Sequence, residues 1–158
     1  MYKEPFIEEA DRILKLAGHV LYVTYPLVKD SRLFISIMNN IDKALKIGLD
    51  SLLYHERIHK RISPYPDHFA TKLDIFRRVV SRRYNFNKEI PNFILDVDQT
   101  VKNRKAAPVE FTRRNDFVIC DPNYRVKVLR YDELKDYFSK AKVFILQASN
   151  IINNGVYG

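Results

Sequence analysis

Between Leu33 and about Arg61, apolar residues recur at Leu33, Ile37, Ile41, Ala44, Leu45, Gly48 and Leu52, the strongest periodicity in the chain. Three-and-four spacing puts these side chains on one face of a long α-helix. An apolar stripe of that length has to be covered, and the chain supplies further stripes to cover it. Ile7, Ala10, Ile13, Leu14, Ala17, Leu21 and Tyr25 predict a helix from Glu4 to about Leu27, where Pro26 marks an end or a kink. Phe69, Leu73, Phe76 and Val80 predict another, ending near Tyr84, with Pro66 suited to its first position. Phe93, Ile94, Val97 and Val101 predict a fourth over Glu89–Ala107, with Pro91 in its opening turn and Pro108 at its close. Leu134, Phe138, Ala141, Ile145, Ala148 and Ile152 predict a last helix that Asp132 can cap.

The period changes over residues 117–131. Phe-Val-Ile-Cys and Arg-Val-Lys-Val-Leu-Arg-Tyr flank Asp121-Pro122-Asn123-Tyr124, which has the proline placement of a type I turn and predicts a short β-hairpin. The expected architecture is mainly α: an up-and-down bundle of four to five helices with a hairpin at about 117–131 before the C-terminal helix, in a single domain over 1–158. Only 4 of the 158 residues are glycine, which argues against phosphate-cradling loops and many-turned β folds. The apolar tract from Ile13 to Val28 is broken by Lys15 and His19 and is too short to span a membrane. Cys120 is the single cysteine and has no partner for a disulfide or a CxxC pair. With no export signal at the acidic N-terminus, a cytoplasmic location and no membrane association are expected.

Charge is unevenly placed. The net charge is +8, yet residues 1–56 carry −1, residues 57–114 carry +8 and residues 115–158 carry +1. Such a concentration predicts a phosphate-binding surface for RNA or DNA, in which Arg forks hold backbone oxygens. Arg77, Arg78, Arg82, Arg83, Arg104, Lys105, Arg113 and Arg114 are the expected anchors, converging on one pole of the bundle. Tyr65, Tyr84 and Phe86 lie beside these cations in sequence and are candidates to stack on bases.

Other strings carry weaker chemistry. His55-Glu56-Arg57-Ile58-His59 matches HExxH, in which histidines one helical turn apart ligate zinc and the glutamate acts as base. Arg57, Lys60 and Arg61 surround the two candidate ligands His55 and His59 with positive charge, and only His68 or Glu89 offers itself as a third ligand. The bland reading is the polar end of an amphipathic helix. No metal or other cofactor is therefore assigned, and no catalytic residue. Cys120 has no histidine near it in sequence, Asp96 and Asp98 point to different helix faces, and Gly18 and Gly48 read as close helix contacts.

At the end of the fourth helix, Asn103-Arg104-Lys105-Ala106-Ala107-Pro108-Val109-Glu110-Phe111 brings in a resemblance. Long antiparallel helices with this arginine resemble HEPN domains, small bundles found in prokaryotic RNases and in partners of minimal nucleotidyltransferases. Arg104 matches the family's arginine, Lys105 the polar position after it, and Glu110-Phe111 the acidic and aromatic pair. Val109 stands where the family's histidine would fall. The resemblance implies an RNA-binding bundle that is catalytically inactive or altered, because valine cannot move a proton. It also implies pairing through helical faces, as a homodimer or with a nucleotidyltransferase-like partner. A divergent RNase using Arg104 and a zinc hydrolase using His55, Glu56 and His59 are the enzymatic alternatives. Strings 24–30 and 108–111 resemble those of small archaeal proteins.

Overall fold

The computed structural model describes residues 5–107, 109–113 and 115–154, and for Val109 the backbone alone. Helix α1 spans residues 7–28: an α-helical stretch Ile7–His19, a π-helical turn Val20–Thr24 and a last turn Tyr25–Val28. The wider turn sits just ahead of Pro26, which has no N–H to continue the ladder, and Tyr25 N–H reaches back to the Val20 carbonyl instead. Helix α2 is Leu33–Ile58, and its 26 residues run about 39 Å.

Helix α3 covers residues 69–83 with a π-helical turn at Phe76–Val80. Helix α4 is Ile90–Ala106, and helix α5 is Tyr131–Asn154. Between α4 and α5 lies an antiparallel sheet of β1 (Val109–Arg113), β2 (Asp116–Cys120) and β3 (Val126–Leu129), in that order. The mainly helical bundle with β structure before its last helix is thus present, and the hairpin gains β1 as a third strand. Asp121 closes the β2–β3 turn by accepting the N–H groups of Asn123 and Arg125 on Oδ1.

Glycine sets how closely the helices meet. A Cβ on Gly18 would lie 2.8 Å from the Phe138 ring, and one on Gly48 would lie 2.6 Å from Ile145 Cδ1. Both glycines of the sequence reading are therefore contact points between helices, Gly18 from α1 and Gly48 from α2, each against α5. Phe117, Ile119 and Leu129 on the inner face of the sheet join the helical core, while Phe111, Val118 and Val128 share the outer face. Cys120 is half-buried at the end of β2. No helix among the described residues is long and apolar enough to cross a membrane.

Four helices alternate in direction, and α3 is the exception. Lys72 meets Asp50 at 2.8 Å and Arg83 meets Glu56 at 3.2 Å, so α3 rises beside α2 in the same sense. The loop over residues 59–68 makes this possible by running back along α2 before α3 begins. That loop forms one wall of the cleft described next.

Candidate nucleic-acid interface

The end of α2 is shaped by a buried acid. Helical spacing turns Glu56 inward, where its side chain is fully buried, while Arg57 on the next position faces out. A carboxylate without water needs compensating charge and donors. Arg61 Nη1 lies 3.3 Å from Oε2, and Arg83 Nη1 lies 3.2 Å from Oε1. The same Arg61 nitrogen donates to the Tyr84 hydroxyl at 2.6 Å. Burial, and then the Glu56 carboxylate, hold the Tyr84 hydroxyl above its ordinary pKa.

The chain then turns sharply. Lys60 adopts a left-handed conformation, with φ 58°, and the N–H groups of Lys60 and Arg61 bond the carbonyls of Arg57 and Glu56. This is a Schellman ending with lysine where glycine is usual, at a cost of roughly 1 kcal/mol.

Beyond the turn, the loop and α3 enclose a cleft of about 750 Å³ whose charged lining among the described residues is Arg57, Lys60, Arg61 and Arg78, with no carboxylate. Arg57 lies over the Tyr65 ring, 5.9 Å from its centroid, and Arg78 is steadied by Asp74 at 2.8 Å. Arg82 is exposed on the following turn of α3. Arg61 and Arg78 are each paired with an acid set outside the lining, Glu56 and Asp74, so Arg57 and Lys60 supply most of the uncompensated charge that phosphate oxygens would meet.

The expected anchors do not converge on one pole. Arg78 reaches this cleft, Arg83 serves the buried Glu56, and Arg77 leans on Asn92 at 3.3 Å. Arg104 belongs to the opposite end of α2, where it pairs with Glu110 through contacts of 3.1 and 3.3 Å. Lys105 is exposed close by, and Arg113 is exposed on β1. Arg114 and Pro108 lie outside the described residues. From Asn39, beside Arg104, to Arg57 is 18 helical residues, about 27 Å.

Phe86 also departs from expectation. It is buried between Phe76 and Phe144, with ring centroids 5.1 and 5.8 Å away, and cannot stack on a base. Sequence reading passed over Arg57, Lys60 and Arg61 as anchors. Their signal was there in the basic run immediately after the longest helix, but the HExxH pattern drew those positions into a different chemistry.

The HExxH residues separate. His55 and His59 stay together, with ring centroids 4.3 Å apart beside a small cavity of about 240 Å³. His59 Nδ1 lies 2.8 Å from the His55 carbonyl, which can only accept, so Nδ1 carries the proton. Glu56 turns away from them to its two arginines. Among the described residues no three His, Cys, Asp or Glu side chains gather as a metal site. Glu56 is therefore placed as a counter-ion to arginines rather than as a base beside a metal.

His55 carries a pH-linked prediction. Its Nδ1 is buried without a hydrogen-bond partner, and burial pulls its pKa below 6.5. His59 and Arg61 push in the same direction, and Glu56 opposes them. The unfolded chain therefore takes up this proton first as pH falls, so the stability tied to neutral His55 is complete above about 6.5 and is lost as pH falls through the lowered folded value. Urea unfolding at about pH 7.5 and about pH 5.5 should show lower stability in acid, and His55→Leu should flatten the difference. An equal difference in the variant would assign the effect to other groups.

The two aspartates of α4 also part company. Asp98 is buried and bridges Lys46 at 2.6 Å and Lys102 at 3.1 Å, with Asp42 alongside Lys46 at 3.1 Å. Burial raises the pKa of Asp42 despite that lysine. Asp96 instead accepts from the Tyr137 hydroxyl at 3.3 Å. The Asp98 network ties α2 to α4.

A second and larger cleft, about 910 Å³, lies between the first half of α2, the last turn of α4 and β1. Arg32, Ser36, Asn39, Asn40, Arg104 and Phe111 are among its lining residues. Comparison of the chain with protein-family models, curated proteins and solved structures produced no match.

Proposed function

We propose that the protein binds nucleic acid, RNA foremost, by holding backbone phosphates in the cleft formed by Arg57, Lys60, Arg61 and Arg78. The observation that carries this reading is the cleft's charged lining: four cations, two of them paired with acids behind it, and no carboxylate among the described lining residues, in a region holding the whole positive excess of the chain. Arginine forks and a lysine at such a site exchange condensed counter-ions for direct phosphate contacts, and the released ions supply affinity. Tyr65 lies next to the cleft, with its ring under the Arg57 guanidinium. The preference for RNA rests on the resemblance to HEPN bundles. Val109 in the place of that family's histidine favours binding without cleavage.

A fluorescent single-stranded oligoribonucleotide, followed by polarisation across a salt series, tests this. Three to four phosphate contacts predict a log–log slope of about −2 to −3. Arg57→Ala with Lys60→Ala should shallow the slope by about 1.4 and weaken binding at low salt by about tenfold or more. The RNA should be recovered intact. An absence of retention at low salt overturns the proposal. Cleavage lost in Arg104→Ala would replace it with a nuclease.

A further inference from the structure

The cleft at the end of α2 holds more than its cations. Ile62 and Pro64 from the loop and Ile75 and Val79 from α3 line it as well, so both walls carry apolar surface. Ile62, Ile75 and Val79 are only half-buried, and each leaves some of that surface for a ligand to cover. A volume of about 750 Å³ falls within the roughly 300–1,000 Å³ of small-ligand sites, which likewise combine apolar walls with a few charged or polar groups.

Charge narrows the ligand. Arg61 and Arg78 already have acidic partners, while among the described residues neither Arg57 nor Lys60 pairs with an acid. About two positive charges are therefore left to be met. A backbone diester carries a single negative charge. A phosphomonoester carries about −1.5 to −2 at neutral pH and presents three acceptor oxygens. The cations also fail to form a track. Arg83 is drawn to Glu56, Arg77 leans on Asn92, and Arg104 lies toward the opposite end of α2. A strand bound along its length needs cations that follow its backbone, and these stay in one cluster.

We infer that the cleft receives a phosphomonoester, the phosphorylated end of a strand. Arg57 and Lys60 take the terminal phosphate, Arg61 and Arg78 flank it, and the terminal nucleoside covers the apolar groups of the two walls. The inference rests on the nucleic-acid reading above and adds recognition of an end to it.

The test uses the whole chain and oligoribonucleotides of one sequence, about eight nucleotides long, with hydroxyl ends, a 5′-phosphate or a 3′-phosphate, in competition against a labelled strand. A hydroxyl-ended strand of about ten nucleotides matches the total charge of the phosphorylated ones. At least one phosphorylated strand should bind about tenfold tighter than that control, and the strand that does so identifies the end. Arg57→Ala with Lys60→Ala, both at exposed positions, should reduce the preference to about twofold or less. Circular dichroism confirms that the variant is folded. A free nucleoside monophosphate lacks the neighbouring linkages and should compete at least about tenfold less well than the preferred strand. Equal binding of phosphorylated and charge-matched strands, a preference that survives in the double variant, or equal competition by the free nucleotide would overturn the strand-end site and leave phosphate binding standing. Failure of every oligonucleotide to bind at low salt would remove both.

Discussion

Glu56→Ala lowers the stability of the folded chain by about 3 kcal/mol, read as a fall in melting temperature of roughly 6–10 °C. The side chain is fully buried, and its two oxygens hold Arg61 and Arg83 at 3.3 and 3.2 Å. Removing one partner of a buried pair costs about 3–5 kcal/mol when the remaining charge is stranded. Here the two arginines keep 22% and 37% of their side-chain surface, so water can partly take over, and the lower end of that range applies. Glu56→Gln keeps the volume and an acceptor and should lose about half as much.

Binding should behave differently from stability. Without the carboxylate, the cation cleft has one more positive charge that is not neutralised, so retention of RNA at low salt should be kept or increased in the fraction that is folded. A stability loss below about 1 kcal/mol would show that Glu56 is not the tie between α2 and α3.

Gly48→Val is the second large effect, with an expected loss of about 3 kcal/mol. Gly48 lies where α2 crosses α5, and a Cβ there meets Ile145 Cδ1 at 2.6 Å and Phe144 Cε2 at 3.1 Å. The end of Ile145 can swing aside, but Phe144 is wholly buried against Phe76 and Phe86 and cannot. A branched side chain must therefore separate the helices. Gly48→Ala is milder, since about 1 kcal/mol of helix propensity offsets part of the crowding. Ile145→Val deletes the atom in closest conflict, so Gly48→Ala should cost less in that background than alone. Additive losses in this double-mutant cycle would refute the proposed contact.

Much of the fold was legible because a helix stripe is a local pattern. Leu33 through Leu52 already place α2, and the change to alternation after Asp116 places the sheet. The proline turn at 121–124 and the helix contacts at Gly18 and Gly48 were legible for the same reason: each depends on residues close in sequence or on the absence of a single atom. β1 was missed because Val109–Arg113 reads as a string of mixed polarity whose outer side chains have no core to face.

The candidate site was legible only as a count of charges. Residues 57–114 hold the positive excess, but their side chains split between two ends of α2. Arg83 meets Glu56 across 27 residues of chain, and no spacing rule reports such a pair. Asn39 and Asn40 look like any polar face of an amphipathic helix until β1 and α4 close over them.

By itself, then, the sequence determined a bundle of four to five helices, a β-hairpin before the last and the region where charge accumulates, since periodicity and composition are properties of neighbouring residues. Only the tertiary structure decided that α3 runs with α2, that Glu56 sits between arginines rather than beside a metal, and that Phe86 is core while Phe111 is open. Those outcomes depend on which distant surfaces exclude water from one another, and burial is settled by packing across the whole chain.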